Sequence, residues 1–275
     1  MLDRLQAGVI KAAVIENNNL DIDVVVHRTI GSTNSWSLQE CRSGRALPFA
    51  CFAEQQTQGR GRRGKQWLMS PASNIAMSLS WRLPVSGMQL QLLPLSIAIA
   101  VVETLESLGL AHVKVKWPND IMVQGKKIAG ILIETQPVDH DAIAVVVGIG
   151  LNYKMPVQKV LKQQGLAVFS EITDIERELS VQSVSRMTTR TVVAGILLQR
   201  VIDVMQNYLY DPGLCLEKFR AQYDYCKGKE VELVLDNGER LSGMAQGVND
   251  GAELLVMIDA EERAFNSADV SVRAL

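Results

Sequence analysis

Between residues 56 and 67 the chain reads Gln56-Thr57-Gln58-Gly59-Arg60-Gly61-Arg62-Arg63-Gly64-Lys65-Gln66-Trp67, with glycines interleaved among cations. Glycine admits backbone conformations and close approaches that a Cβ forbids, and clustered cationic side chains neutralise an anion. Gly59 to Lys65 spells the phosphate-loop pattern GxxxxGK, but Gln66 stands where that loop needs Ser or Thr for magnesium. The segment also runs through Trp67 and Pro71 towards a strand, not into a helix whose N-terminus could receive phosphate. A P-loop is therefore excluded. Three readings stay open: a solvated basic loop, an Arg/Gly tract for RNA, and a loop that closes over a phosphate-bearing small molecule. A single copy without aromatic interleaving or a basic surround weighs against RNA. The embedding favours the third reading. Gln56 sits at a strand end, Trp67 offers a platform for a base, and glycine flexibility suits a loop that orders on ligand binding.

A second group of chemistry-bearing residues follows in Lys114-Val115-Lys116-Trp117-Pro118-Asn119-Asp120 and Lys126-Lys127-Ile128-Ala129-Gly130. Alternation puts both lysines of the first stretch on one strand face, and Pro118 marks a turn or bulge just before a carboxylate. The small Ala129-Gly130 pair beside Lys127 lets a ligand lie close to a sheet. Solvated surface lysines would look the same in isolation. Asp120 is open to three roles: general base, metal ligand or turn residue. Gly148-Ile149-Gly150-Leu151-Asn152 lacks the third glycine of a dinucleotide fingerprint, so its glycines are read as permitting close packing or ligand approach. His27, His112 and His140 have no metal-ligand spacing, and no GxSxG or Cys/His pairing supports a covalent hydrolase.

These residues must be held by a framework, and composition bounds what that framework is. The chain has 275 residues, with Lys+Arg 28 against Asp+Glu 30, a formal net charge of -2, 47% hydrophobic and 21% charged residues. That balance argues against global electrostatic binding of nucleic acid or membrane, so any basic site is local. Cys41, Cys51, Cys215 and Cys226 form no CxxC pair and read as reduced thiols. Met1-Leu2-Asp3-Arg4 lacks a signal-peptide pattern, and apolar runs such as Ala142 to Leu151 are shorter than the roughly 20 residues of a membrane span. A cytoplasmic protein is expected.

The first 22 residues hold an amphipathic helix with Leu5, Val9, Ala12 and Ala13 on one side. Val24 to Val26 reads as a strand. Ser32 is the expected N-cap of a helix running towards Cys41 and stopped by Gly44. Phe49 to Glu54 is strand-like, and Ile75, Met77, Leu79 and Trp81 alternate with Ala76, Ser78, Ser80 and Arg82, the pattern of a half-buried strand. Leu92 to Leu108 reads as a buried helix closed by Gly109, and Thr188 to Tyr208 has helical apolar spacing. Ile121 to Val123 and Ile128 to Glu134 read as a hairpin joined through Gln124-Gly125-Lys126-Lys127, and Ala142 to Gly148 as a β-rich apolar run. Past Gly228 come short β-type runs broken by Asp236-Asn237-Gly238 and Asn249-Asp250-Gly251. Their character predicts a small β-barrel over 227–275, after a larger domain over 1–226.

Taken together, the motifs Gly31-Ser32-Thr33-Asn34, Gln56 through Trp67, Lys114 through Asp120, Lys127 through Gly130 and Gly148 through Asn152 resemble, in order and spacing, the biotin protein ligases. The resemblance covers roughly residues 28–155 together with the β-rich tail. It implies an α+β fold: a mixed-sheet, class II synthetase-like catalytic domain of the biotin–lipoate ligase type, followed by an SH3-like β-barrel. It also implies a reaction in which biotin and ATP, with Mg2+, form biotinyl-5′-AMP. The biotinyl group then passes to one lysine of the biotin carboxyl carrier protein of acetyl-CoA carboxylase.

By the same resemblance, Ser32, Thr33, Asn34, Gln56 and Gly130 line the biotin pocket. Arg60, Gly61 and Arg62 lie on the loop closing over biotin and the adenylate. Lys127 holds the biotin carboxyl and α-phosphate oxygens. Arg63, Trp67, Asn119 and Asn152 fall on the ATP side. Lys116 and Asp120 are candidates for phosphate or metal contacts and for assisting the incoming lysine, magnesium otherwise being carried by the phosphates. Lys65 stands where an Arg is common. Only thirty residues precede Gly31, too few for the winged helix-turn-helix of many bacterial relatives, so a monofunctional ligase without DNA binding is expected. An exposed edge strand would serve a homodimer. A lipoate or octanoate ligase, or a non-catalytic binder of biotinyl-AMP, is the alternative.

Overall fold

The computed structural model describes residues 3–18, 20–84, 90–155, 172–183, 188–211, 213–267 and 270–274; Met1, Leu2 and Asn19 lie outside them. Seven strands form one mixed sheet: β1 (Asp23–His27), β2 (Phe49–Ala53), β3 (Asn74–Pro84), β4 (Val113–Lys116), β5 (Asp120–Val123), β6 (Lys126–Pro137) and β7 (Ala142–Asn152). Their order is β1-β2-β3-β7-β6-β5-β4, with β1 and β2 parallel and every other adjacent pair antiparallel. Helix α1 (Ala7–Asn18), α2 (Thr33–Arg42), α3 (Leu93–Ser107), α4 (Ile175–Val181), α5 (Arg190–Asn207) and α6 (Leu214–Lys218) complete this part.

Local chemistry accounts for the boundaries. Ser32 caps α2, its Oγ accepting from the Ser35 N–H, and Gly44 past the helix end takes φ +80°. Gln124 and Gly125 both have positive φ, as the tight β5–β6 hairpin requires. Helix α3 buries nearly its whole circumference, consistent with its unbroken apolar sequence. Among the described residues, Leu90–Ser107 is long and apolar enough to cross a membrane by length and composition, and 67% of it is buried within the chain. Contiguous runs had suggested no such stretch, because isolated polar residues such as Ser96 and Thr104 break them; both hydroxyls here bond back to helix carbonyls.

Two expectations need correction. Leu5, just ahead of helix α1, is buried as expected, but the helix itself buries Ile10 and Val14, while Val9 is 46% exposed and Ala12 faces solvent. The buried face is set by docking on α5, where a Cβ on Gly195 would lie 3.1 Å from that of Ala13. Strand β3 is buried on both faces from Asn74 to Ser80, not half-buried. The small residues Ala76, Ser78 and Ser80 alternate there because α2 crosses that face closely, while Ile75, Met77 and Leu79 point into the main core.

A second sheet is purely antiparallel: β8 (Glu230–Leu235), β9 (Arg240–Val248), β10 (Leu254–Ile258), β11 (Glu261–Phe265) and β12 (Val270–Ala274), in the order β11-β10-β9-β8-β12. Both predicted turns join consecutive strands of this sheet, at 236–238 and 249–251. Trp117, buried at the end of β4, donates its indole N–H to Ala252 O at 2.8 Å and so ties the two sheets together.

Candidate active site

The Gly/Arg segment is the connection from β2 to β3, and it has its own internal order. Trp67 N donates to Gly59 O, Gly61 N donates to Lys65 O, and Arg60 bridges to Gln66. A Cβ on Gly59 would stand 2.3 Å from Trp67 O, so only glycine permits that pairing. Arg63 and Gly64 both take positive φ at the tip. The segment is thus a tight folded excursion, not an open basic coil.

It arches over the middle of the large sheet. The sheet register places Lys116 opposite Asp120, Asp120 opposite Gly130, and Gly130 opposite Gly150. The glycine pair makes a floor on which the Trp67 ring rests: a Cβ on Gly150 would come within 2.2 Å of the ring, and one on Gly130 within 3.2 Å. Lys127 Nζ lies 5.7 Å from the ring centroid, in cation–π range. The Trp67 indole N–H is buried with no partner among the described residues.

Under this arch is a cleft of about 210 Å³. One end is built for hydrogen bonding. Gln56 Oε1 accepts from the Thr33 N–H at 2.8 Å and hydroxyl at 3.1 Å, which aims the Gln56 amide. Ser78 Oγ lies 2.8 Å from Thr33 Oγ1 and 2.6 Å from Asn34 Oδ1. Asn34 donates to Leu132 O and to Glu134, and a Cβ on Gly148 would collide with its amide at 2.1 Å. Helix α2 supplies this end because its N-terminal turn sits over β3 and β7.

The cleft is also rich in cations. Arg60, Arg62, Arg63, Lys65, Lys116 and Lys127 all line the cleft, and Asp120 is the one carboxylate on its walls among the described residues. Lys127 Nζ sits 2.5 Å from Asp120 Oδ1. Arg60 pairs with Glu134 at 2.9 Å. Arg62 donates to Asn119 Oδ1 at 3.2 Å and to Ser267 O, and Asn119 is itself held by Ile131. Burial pulls the Arg62 guanidinium down from its usual value, the Asp120 charge opposing. Arg63 reaches the second sheet, bonding Val234 O, Ser271 Oγ and Asp236.

Of the residues singled out from sequence, Ser32, Thr33, Asn34, Gln56, Arg60, Gly61, Arg62, Arg63, Trp67, Lys116, Asn119, Asp120, Lys127 and Gly130 all border this one cleft. Asn152 does not. It lies on the same sheet face as Gly148 and Gly150, one step farther along β7, and is buried there, its amide accepting from Asn74 at 2.8 Å and donating to Thr173 O at 2.9 Å. Two contributors had no sequence signal: Glu134, which pairs both Arg60 and Asn34, and Val270–Val272 of β12, brought to the cleft by docking of the second sheet.

Comparison with known proteins agrees with this geometry. Residues 26–152 match the biotin/lipoate A/B protein ligase family. The chain is 30% identical over 256 residues to the bifunctional ligase/repressor BirA of Escherichia coli, spanning 91% of this chain and 74% of that protein. It is 28% identical over 257 residues to the biotin--[acetyl-CoA-carboxylase] ligase of Mycobacterium tuberculosis, spanning 90% and 88% respectively. Its fold is similar to that of the biotin protein ligase from Aquifex aeolicus in complex with biotin and ATP, with a TM-score of 0.71 at 21% identity, covering 92% of this chain and 99% of that one. By sequence and by fold, the chain belongs to the biotin/lipoate A/B protein ligase family.

Proposed function

We propose that the chain is an ATP-dependent biotin ligase that makes biotinyl-5′-AMP and passes the biotinyl group to a lysine of the biotin carboxyl carrier protein of acetyl-CoA carboxylase. The observation that carries this reading is the polarity of the cleft. Six cationic side chains line it against a single carboxylate, together with neutral donors and acceptors from Ser32, Thr33, Asn34 and Gln56. That pairing suits a polyphosphate bound next to a neutral, hydrogen-bonding head group.

In the first step a carboxylate oxygen of biotin attacks the α-phosphorus of ATP; the bond to the bridging oxygen breaks and pyrophosphate leaves. Both reactants are anionic, so the step needs fixed positive charge where negative charge develops, and it needs the two held together. Lys127 stands beside Gly130 and the Trp67 ring and supplies that charge, with Arg60 and Arg62 closing from the arch. In the second step the carrier's lysine amine attacks the acyl carbon, AMP departs with the electron pair of the acyl–oxygen bond, and the amine loses its proton. Asp120, freed from Lys127, is the carboxylate placed to take it. The arch keeps water from the mixed anhydride meanwhile.

Magnesium would be carried mainly by the phosphates. The described residues hold no group of three or more His, Cys, Asp or Glu able to bind a metal, which leaves Asp120 as the single carboxylate the cleft can offer. The ion would offset phosphate charge during attack. We assign residues 1–226 to the catalytic domain and 227–275 to an SH3-like one. The reading places the reaction in the cytoplasm with no DNA partner, and edge strand β1 is the surface a homodimer would use.

Purified protein incubated with biotin, ATP and magnesium should yield biotinyl-adenylate and label a carrier domain, with free lipoate competing poorly. Absence of the adenylate would sink the reading. Preferential use of lipoate would reassign the chain to the lipoate branch of its family, and salt-dependent DNA binding would remove the exclusion of a DNA partner.

A further inference from the structure

Arg190, the first residue of α5, is the one cation among the described residues whose side chain is fully buried. It lines no part of the cleft. Its guanidinium donates to Asn74 O at 3.0 Å, to the Glu54 carboxylate, and to Asp3 O at 2.5 Å, while its backbone N–H donates to the Asp3 carboxylate. The other Glu54 oxygen accepts from Leu5 N at 2.6 Å, and Thr191 Oγ1 donates to Arg4 O.

The placement of these acceptors is informative. Glu54 is the first residue past β2 and Asn74 is the first residue of β3. Everything between them is the excursion that carries Arg60, Arg62, Arg63, Lys65 and Trp67. A single guanidinium therefore grips both roots of that excursion, and residues 3–5 close over it from behind. Taking an Arg–Glu pair out of water is costly, and apolar side chains would fill the same space at least as stably, so the pair contributes geometry more than stability. A planar fork with several donors holds two roots at a fixed separation in a way an apolar contact cannot.

We infer that Arg190 is a positioning residue of the adenylation site: with Glu54, Asn74 and residues 3–5 it clamps the roots of the Gly/Arg excursion, so that its cations close on the triphosphate and stay closed over the acyl-adenylate. This deepens the biotin-ligase reading and rests on it. A loosened clamp leaves the sheet floor and the start of α2 in place but lets the arch, with its cations, swing. The consequences are weaker capture of ATP and escape of the activated acid before the carrier lysine arrives.

The test uses the full chain with Arg190→Lys, which keeps the charge but loses the fork, together with Glu54→Gln and Asp3→Ala. Each variant is measured for melting temperature, for KM(ATP) and kcat of adenylation, and for pyrophosphate released per biotin transferred. KM(ATP) should rise about tenfold while kcat changes less than about threefold, and pyrophosphate should exceed transferred biotin relative to the unmodified chain. Tryptic cleavage after Arg60, Arg62 or Arg63 should also quicken at temperatures well below melting. Lower melting temperatures with unchanged KM, coupling and cleavage would overturn the inference and leave Arg190 a core residue. If Arg190→Lys does not fold, Glu54→Gln and Asp3→Ala decide the matter by the same readouts. If the unmodified chain forms no biotinyl-adenylate, the reaction assignment fails, and the tryptic comparison still judges the clamp.

Discussion

Lys127 and Asp120 face each other across the β5–β6 hairpin with Nζ and Oδ1 2.5 Å apart, so the cleft's carboxylate and its central ammonium are bonded to one another before any substrate arrives. Binding of a carboxylate and a phosphate must draw Lys127 off Asp120, releasing the latter for the second step. Lys127→Ala should lower kcat/KM for adenylation by about 10²–10³-fold, the scale of removing one preorganised charge at a developing anion. It should also leave the Asp120 charge facing the phosphates. The double variant Lys127→Ala/Asp120→Ala should therefore recover part of the loss in a pyrophosphate-release assay. Strict additivity of the two single changes would mean the pair is not coupled.

The contact between Gly150 and the Trp67 ring sets a second expectation. A methyl at Gly150 cannot coexist with the ring in its present place, since the Cβ would lie 2.2 Å away. Gly150→Ala should displace Trp67, change the intrinsic tryptophan fluorescence and weaken biotin binding by about tenfold or more, as expected when a positioning group moves by an ångström. Calorimetric titration with biotin alongside the emission spectrum checks both parts. Unchanged emission with unchanged affinity would refute the packing.

Arg62 joins the arch to Asn119 in the β4–β5 turn and to Ser267 between β11 and β12. Arg62→Ala should raise KM(ATP) and lower adenylation by at least about tenfold. Arg62→Lys should restore little, because one ammonium cannot serve two divergent acceptors and a phosphate. Steady-state kinetics at several ATP concentrations separates the two variants. Full activity in Arg62→Lys would show that charge alone matters.

Asp224 precedes the second sheet. Its Oδ1 accepts from the Cys226 and Lys227 N–H groups, while its Oδ2 is buried without a partner among the described residues. Burial raises its carboxyl above the ordinary value of 3.8, more than those bonds and the nearby lysines lower it. The folded protein then holds this proton more tightly than the unfolded chain does. The group thus costs stability once ionised in both states, and the cost disappears as pH falls below the unfolded value. Asp224→Asn keeps the Oδ1 acceptor and removes the charge, so it should stabilise the chain at pH 7 by about 1 kcal/mol. The gain should shrink towards zero below about pH 4. Thermal melts at the two pH values test the sign, and an equal gain at both would point away from titration.

Much of the molecule can be read without coordinates. Ser32 as a cap, Gly44 and Gly109 as stops, and the Gln124-Gly125 turn are local matters, decided by side-chain-to-backbone bonds and by which residues tolerate positive φ. The cluster of cations with glycine, the Lys-Trp-Pro-Asn-Asp run and the Lys127-to-Gly130 stretch announce a phosphate-handling site through residue type alone, and all of them border one cleft. The face of α1 was not legible. Its weak periodicity allowed Val9 or Ile10 to point inward, and only packing against Gly195 and its neighbours on α5 selects Ile10 and Val14.

The sequence by itself determined which groups are available: glycines where backbone must approach an aromatic ring or a carbonyl, cations in excess at one place in a chain of near-zero net charge, and polar residues at the start of α2. Those are properties of side-chain chemistry and nearest-neighbour geometry. Only the tertiary structure decided that Asp120 is bonded to Lys127, that the Asn152 amide is taken up by Asn74 and Thr173, that Glu134 and β12 border the site's chemistry, and that Arg190 holds both roots of the arch. Each of these depends on strand register or on docking between residues up to 208 positions apart. Such contacts arise from how whole elements bury their apolar faces, and no short stretch of sequence carries that information.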